Sequence, residues 1–570
     1  MPPARAATIG IDETLALLDG KFARLAEAVA HDRYALWLGS GISLGRVAGV
    51  KMLIRKVLDF LQQQVVSGDP NCRFRKALNA TLDIANVTPA ERTAIDLGQP
   101  TAAWPGIDSI EQRLAGSYSL FLDIGIDGEE DDFLVWEGID IVNTYGDPTI
   151  EPDVEHLCLA VLALEGVASD MPSANWDGLI EKAIDKLTGG LARIVRCVRP
   201  EDLREAELQA RLYKFHGCAI CARDDEATFR PLLIARRSQI NSWIANGEND
   251  PLVTHLIDIA VRKPTLMIGL SAQDSNIQAI FAEARQSMAW PWPSTPPAYA
   301  FSEDQLGFDQ QGLLRIVYKA GYTAATRDDI YDSALIQAYA KSLLAALSLH
   351  VICTKLKCLI DLAPGSITVV DRSELKQGIV YLRDTIAKAA SPITETLTRA
   401  AITLVARLLA MYREGAASPN SPYGPITSQP IQHMVGDASL ALTGMREFAV
   451  ALGLLGRGSQ SGQWALEPVD PTDATAGALN IKTAAGPTKL YLISSSHVAL
   501  RLKLNGHLVD DENAILIQSL DIAAPMVRSP RGAIGRKGKP GTREVSISQL
   551  LADAGDYDRL FLRFREELAI

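Results

Sequence analysis

The run Tyr34-Ala-Leu-Trp-Leu38 is apolar, uncharged and too short for a helix, and it ends directly on Gly39-Ser-Gly41. Apolar positions at helical spacing precede it over 11–29 and resume at Met52, Leu53, Val57, Leu58 and Leu61. A buried strand that turns on glycine into an amphipathic helix commits the chain to alternating strands and helices, because a strand covered on both faces needs crossover helices. The pattern recurs. Helices are expected over 179–187, 252–261 and 277–288, and strands over 192–198, 211–215 and 265–269. After the Pro-rich loop 290–297, late strands are expected at 298–301 and 314–318, and a long helical pattern over 328–362. The expected fold class is α/β, with a Rossmann-like, mainly parallel sheet.

At 570 residues the chain exceeds one ordinary core, and we expect a division into residues 1–350 and 351–570. The second part reads as a mixed α+β domain for sensing or assembly. It is mostly helical over 373–412, with Gly/Ser/Pro-rich loops at 415–430 and 456–462 and strands at 489–493 and 498–504. The N-terminus lacks a signal-peptide core, and no stretch reaches the roughly 18 uncharged apolar residues of a membrane span. The expectation is a soluble, cytoplasmic protein without a membrane partner. Seven cysteines, an odd number, suit reduced thiols better than a disulfide framework.

A formal charge of -12 and a pI near 5.3 exclude a protein that coats nucleic acid with its whole surface, so any basic site is regional. One such region holds Arg528, Arg531, Arg536, Lys537, Lys539 and Arg543 with no acid between them. It is suited to phosphates or an acidic partner, or is a solubilising loop. The run from Asp123 to Asp132 mimics a calcium loop, but Gly125 stands at its third position and Leu134 where the bidentate glutamate belongs, and it reads as a solvated acidic loop.

Four segments can carry chemistry. At the Gly39-Ser-Gly-Ile-Ser43 turn, Gly39 and Gly41 let backbone N–H groups approach a phosphate and Ser40 and Ser43 add donors, although a Gly-x-Gly turn is also plain structural punctuation. Gly269, Ser271 and Asp274 lie past a strand end, where open parallel sheets bind ligands. Asp274 either accepts ribose hydroxyls or caps the next helix. His216 can take a proton near neutral pH and Asn175 can orient a hydroxyl and a water, though each also suits a structural role. Asn143 is a rival for the second part.

Taken together, Gly39-Ser-Gly-Ile-Ser43, Asn175-Trp-Asp-Gly-Leu-Ile-Glu181, Lys214-Phe-His-Gly217 and Gly269-Leu-Ser-Ala-Gln-Asp-Ser-Asn276 resemble, in order, the motifs of the sirtuin-like (silent information regulator type) family. The resemblance covers roughly residues 20–300. It implies a Rossmann-like sheet binding NAD, with Asn175 and His216 catalytic and with Gly39, Ser40, Gly41, Ser43, Asp177, Gly269, Ser271 and Asp274 around the nucleotide. Protein deacylases of this type carry two Cys-x-x-Cys pairs for zinc. Only Cys218-Ala-Ile-Cys221 occurs here, so no metal is expected and the chain is closer to the divergent, zinc-free branch similar to bacterial anti-phage effectors that hydrolyse NAD. Partners implied by that branch are a HerA-type ATPase, a short Argonaute protein or further copies of the chain. NAD-dependent deacylation or ADP-ribosyl transfer, and a silent NAD-sensing module, are the alternatives.

Overall fold

The computed structural model describes residues 5–66, 68–191, 193–206, 208–390, 393–483, 486–508, 513–520 and 542–568. Its first sheet holds seven strands: β1 (Ala35–Leu38), β2 (Asp170–Ser173), β3 (Ile194–Cys197), β4 (Ala210–Lys214), β5 (Thr265–Ile268), β6 (Tyr299–Ser302) and β7 (Leu335–Ile336). They run in the order β3-β4-β2-β1-β5-β6-β7, all parallel. Side chains alternate between two cores. In β1, Leu36 and Leu38 join one cluster and Ala35 and Trp37 the other, and β5 divides in the same way. This is why these strands read as continuous apolar runs. From β1 the chain builds β2 to β4 on one side, and from β5 it builds β6 and β7 on the other. The reversal between β1 and β5 is the crevice where open α/β sheets bind ligands.

Between β1 and β2 the chain inserts a helical module, including Val50–Gln63, Arg73–Ile84, Ile107–Ala115, Tyr118–Phe121 and Ile141–Tyr145, around its own core of Leu53, Val57, Leu61, Leu78, Leu114 and Phe121. The acidic run 123–132 belongs to this module and is not simply solvated. Asp132 pairs with Arg230 at 2.8 Å, and Asp123 accepts from Ser238 N–H and Oγ.

The C-terminal region carries a second, mixed sheet, β8 (Ala465–Glu467), β9 (Leu479–Thr483), β10 (Gly486–Ile493), β11 (Ala514–Gln518) and β12 (Arg543–Ser546), in the order β12-β11-β10-β9-β8. The expected boundary near residue 350 falls inside the helix Ala340–Asp361. That helix is long and apolar enough to cross a membrane, with a mean hydropathy of 1.8, but 67% of the stretch is buried inside the protein. Its buried residues share one core with β1, β5 and the second sheet.

Several local expectations fail for identifiable reasons. Residues 498–504 form the helix Ser496–Leu504, burying Val498, Ala499 and Leu502. The neighbouring strands β10 and β11 are parallel, which demands such a crossover. Residues 314–318 lie mainly in the helix Phe308–Val317, and the seventh strand is the two-residue β7, within the run read as helix. Residues 456–460 are helix and not loop, because Met445–Gln460 packs on Val369–Ala389 so closely that Gly456 meets the backbone of Gly378 and leaves no room for a Cβ.

Candidate functional site

The site is built where β4, β2, β1 and β5 end side by side. Gly39 N–H donates to the Ile268 carbonyl and Gly41 N–H to the Gly269 carbonyl, both at 3.0 Å. The turns after β1 and β5 therefore interlock, and a Cβ on Gly41 would lie 2.5 Å from Gly269 Cα. Gly269 has φ +63. These glycines are required by the crossing of two backbones, independently of any phosphate. In the same β5 turn Ala272 also has φ +59, a strained conformation for a residue with a Cβ. Ser40 and Ser271 are exposed at the rim.

Ser43 and Asp177 face inward and bind each other, with Ser43 Oγ donating to Asp177 Oδ2 at 2.9 Å. Asp177 Oδ1 also accepts Leu179 N–H at 3.1 Å. Behind Ser43 stands His156, on the helix Val154–Leu164. Its Nδ1 accepts Asp153 N–H at 3.1 Å, so the ring proton sits on Nε2 and is donated to Ser43 Oγ, also at 3.1 Å. The sequence reading missed His156, which sits in an apolar helix without any motif around it. The other end of the glycine turn is tied by Arg46 to Asp153, 3.3 Å away, and to Glu395 of the C-terminal region.

Asn175 and His216 lie at matching positions just beyond the ends of neighbouring strands. Ser173 of β2 pairs in register with Lys214 of β4, so each functional residue stands two positions beyond a paired residue. β2 forms despite Pro172, which has no N–H to donate, and its ladder with β1 is limited to Leu38↔Ser173. Asn175 is buried, and neither its amide nitrogen nor its carbonyl oxygen has a protein partner. Leaving such a group dry costs about 1–3 kcal/mol. Asn143, the rival, is exposed on the helix Ile141–Tyr145, donates to Asp140 at 2.9 Å and follows no strand.

His216 is also buried. Asn276 Nδ2 donates to its Nε2 at 2.8 Å, with the amide orientation set by Ile277 N–H donating to Asn276 Oδ1 at 2.9 Å. Burial lowers the imidazole below its ordinary value, against the opposing pull of the Asp274 charge. Beneath this pair lies Lys214, buried, which donates to the carbonyls of Trp176 and Asp177 and to Glu181 Oε1 at 3.3 Å. It clamps the Asn175-Trp-Asp segment from below. Asn276 and Lys214 stood inside the quoted motifs without an assigned role.

Burial lowers both His156 and His216 from 6.5. Below that pH the unfolded chain binds protons that the folded chain refuses, so folding stability declines as pH falls from 6.5 towards the folded values. Thermal unfolding followed from about pH 7.5 to 5 is expected to show this decline, and His156→Asn should flatten it.

Cys218 and Cys221 are buried together beside Lys214 and Arg196. The hydrogen bond from Cys221 and the two cations hold the Cys218 thiol well below its ordinary range, while the same pairing raises Cys221. Two thiols do not fit a four-thiolate zinc site, and among the described residues no group of three or more His, Cys, Asp or Glu could hold a metal ion. We expect metal analysis of the purified protein to find no stoichiometric zinc, and Cys218→Ser with Cys221→Ser to leave the fold intact by circular dichroism.

A parallel sheet with an interlocked glycine crossing at its switch point, and with a buried amide and imidazole at adjacent strand ends, defines an α/β protein with a candidate ligand site at that crevice. Residues 171–319 match the model of a SIR2-like domain. That span runs from β2 to just past the helix Phe308–Val317, and so includes Asn175, His216, Gly269 and Asp274 but not the glycine turn. No curated protein matches the chain. The domain is compatible with NAD-related activity and supports the sirtuin-like resemblance.

Proposed function

We propose that the chain hydrolyses NAD, taking up water and releasing nicotinamide, ADP-ribose and a proton, and that it does so as an effector of anti-phage defence. The observation that carries the enzymatic part is Asn175, a buried amide with both polar atoms unpartnered, set in register with the buried imidazole of His216. A buried orphan of this kind calls for a partner, and at the ligand crevice of a parallel sheet a substrate or the water it brings supplies one. The amide offers one donor and one acceptor face to a ribose hydroxyl and a water. His216, neutral through burial, accepts the proton from water or the hydroxyl when this group replaces the Asn276 amide on Nε2. Breaking the nicotinamide–ribose bond builds positive charge on the sugar, and the buried site fixes the attacking oxygen against it.

Control by assembly, by nucleic acid or by a HerA-type or short Argonaute partner is part of the proposal, since an unregulated enzyme of this kind would drain its host. It is supported by the contacts through which the C-terminal region reaches the site, Glu395 to Arg46 above all. Arg528, Arg531, Arg536, Lys537 and Lys539 lie outside the described residues, while Arg543 opens β12 and donates to the Leu568 carbonyl at 2.6 Å.

Product analysis tests the reaction. Incubation with NAD alone should give equal nicotinamide and ADP-ribose. Release that requires an acylated peptide or a protein acceptor would replace this reading with deacylation or ADP-ribosyl transfer, and binding without release would replace it with a sensor.

A further inference from the structure

Asp274 holds the N-cap position of the helix Ser275–Ser287 with extended backbone, yet its carboxylate caps none of that helix's N–H groups. An aspartate here ordinarily turns to those free donors. The Ile277 N–H is instead shared by the Asp274 main-chain carbonyl at 3.1 Å and Asn276 Oδ1 at 2.9 Å. The carboxylate is directed elsewhere: Oδ1 accepts the Tyr118 hydroxyl at 2.8 Å. Tyr118 opens the helix Tyr118–Phe121 of the module inserted between β1 and β2, far from the sheet in sequence. Burial, reinforced by the Asp274 charge, raises its phenol well above the ordinary range, so it remains a donor.

Among the described residues, the groups seen to act on the His216 imidazole are the Asp274 carboxylate and the Asn276 amide, both from the segment after β5. On its own strand, Lys214 turns away to Glu181 and to the carbonyls of Trp176 and Asp177. The insert reaches the imidazole through the Tyr118–Asp274 contact.

We propose that Tyr118 is a positioning residue: its hydroxyl holds the Asp274 carboxylate off the helix N-terminus and beside His216, so that the helical insert completes the charge environment of the base. The catalytic consequence rests on His216 acting as the base in NAD hydrolysis. The positioning itself belongs to the free protein. Without the Tyr118 hydroxyl, Asp274 turns to cap Ser275–Ser287, and an imidazolium at His216 loses its anionic neighbour.

The test is a histidine NMR titration of the full chain in four forms, wild type, Tyr118→Phe, Asp274→Asn and the double variant, with the His216 signal assigned by its loss in His216→Gln. Circular dichroism checks each fold. We expect Tyr118→Phe and Asp274→Asn each to lower the His216 midpoint, and the double variant to lower it no further than Asp274→Asn. A wild-type midpoint in Tyr118→Phe beside a lowered one in Asp274→Asn overturns the role of Tyr118, and no change in Asp274→Asn overturns the role of the carboxylate. With NAD, Tyr118→Phe should lower kcat several fold at unchanged KM and move the acid limb of the pH profile to lower pH. If the wild-type protein cleaves no NAD, the functional reading falls while the titration still decides the positioning.

Discussion

Under the proposed NAD hydrolysis, Asn175→Ala is expected to lower turnover by about a hundredfold or more, because the attacking oxygen would lose the group that sets its angle. The same change should not weaken the fold. Both polar atoms of Asn175 are buried without a partner, so the near-isosteric Asn175→Leu removes a penalty of about 1–3 kcal/mol and should raise Tm. Loss of activity with a gain in stability distinguishes a ligand-binding amide from a structural one, whose removal would lower both. His216→Ala should match the loss in turnover, read mainly in kcat. Activity retained in Asn175→Ala but lost in Asn143→Ala would move the catalytic asparagine to the exposed helix Ile141–Tyr145.

Lys355→Met is expected to destabilise the whole chain by about 3–5 kcal/mol, read by chemical denaturation. Lys355 and Glu165 are both fully buried. The ammonium donates to Glu165 Oε2 at 2.8 Å and to the Thr427 carbonyl at 2.6 Å, while Glu165 Oε1 accepts Tyr423 Oη at 2.7 Å and Ile426 N–H at 2.9 Å. Removing the cation strands a carboxylate in the core. The double variant with Glu165→Leu should regain part of the loss, since a buried pair replaced by apolar groups is often neutral. Glu165 ends the helix Val154–Leu164 that carries His156, so this cluster joins the glycine turn to the C-terminal region through one rigid element. A fragment ending at residue 350 would cut the helix Ala340–Asp361 and lose Lys355. It should aggregate or unfold, and activation by the C-terminal region has to be tested in the full chain.

Strands β1, β3, β4, β5 and β6 were legible because each is a short, largely apolar run bounded by glycine or polar turns, whereas β2, Asp170-Met-Pro-Ser173, was not, since a proline and two polar residues hide its pattern. The legible parts of the site were equally local: glycines where two backbones cross, and Asn175, His216 and Asp274 just beyond strand ends. Misreadings came where local pattern is ambiguous. The alternating Leu500-Arg-Leu-Lys-Leu504 imitates a strand until the parallel pairing of β10 and β11 demands a helix. Gly456 and Gly458 imitate a loop until the helix Val369–Ala389 is seen packed against the first and the Trp464 ring against the second. Two residues, Leu335-Ile336, are too few to show a period.

By itself, then, the sequence determined the parallel α/β sheet and the residues at its strand ends, since both follow from side-chain periodicity and from backbone freedom, which neighbours along the chain dictate. Only the tertiary structure decided that Tyr118 reaches Asp274 across 156 positions, that His156 stands behind Ser43 across 113, and that Lys355 meets Glu165 across 190. Such partners are chosen by which surfaces come to be buried together, and a buried polar atom takes whichever donor or acceptor the packing brings within reach.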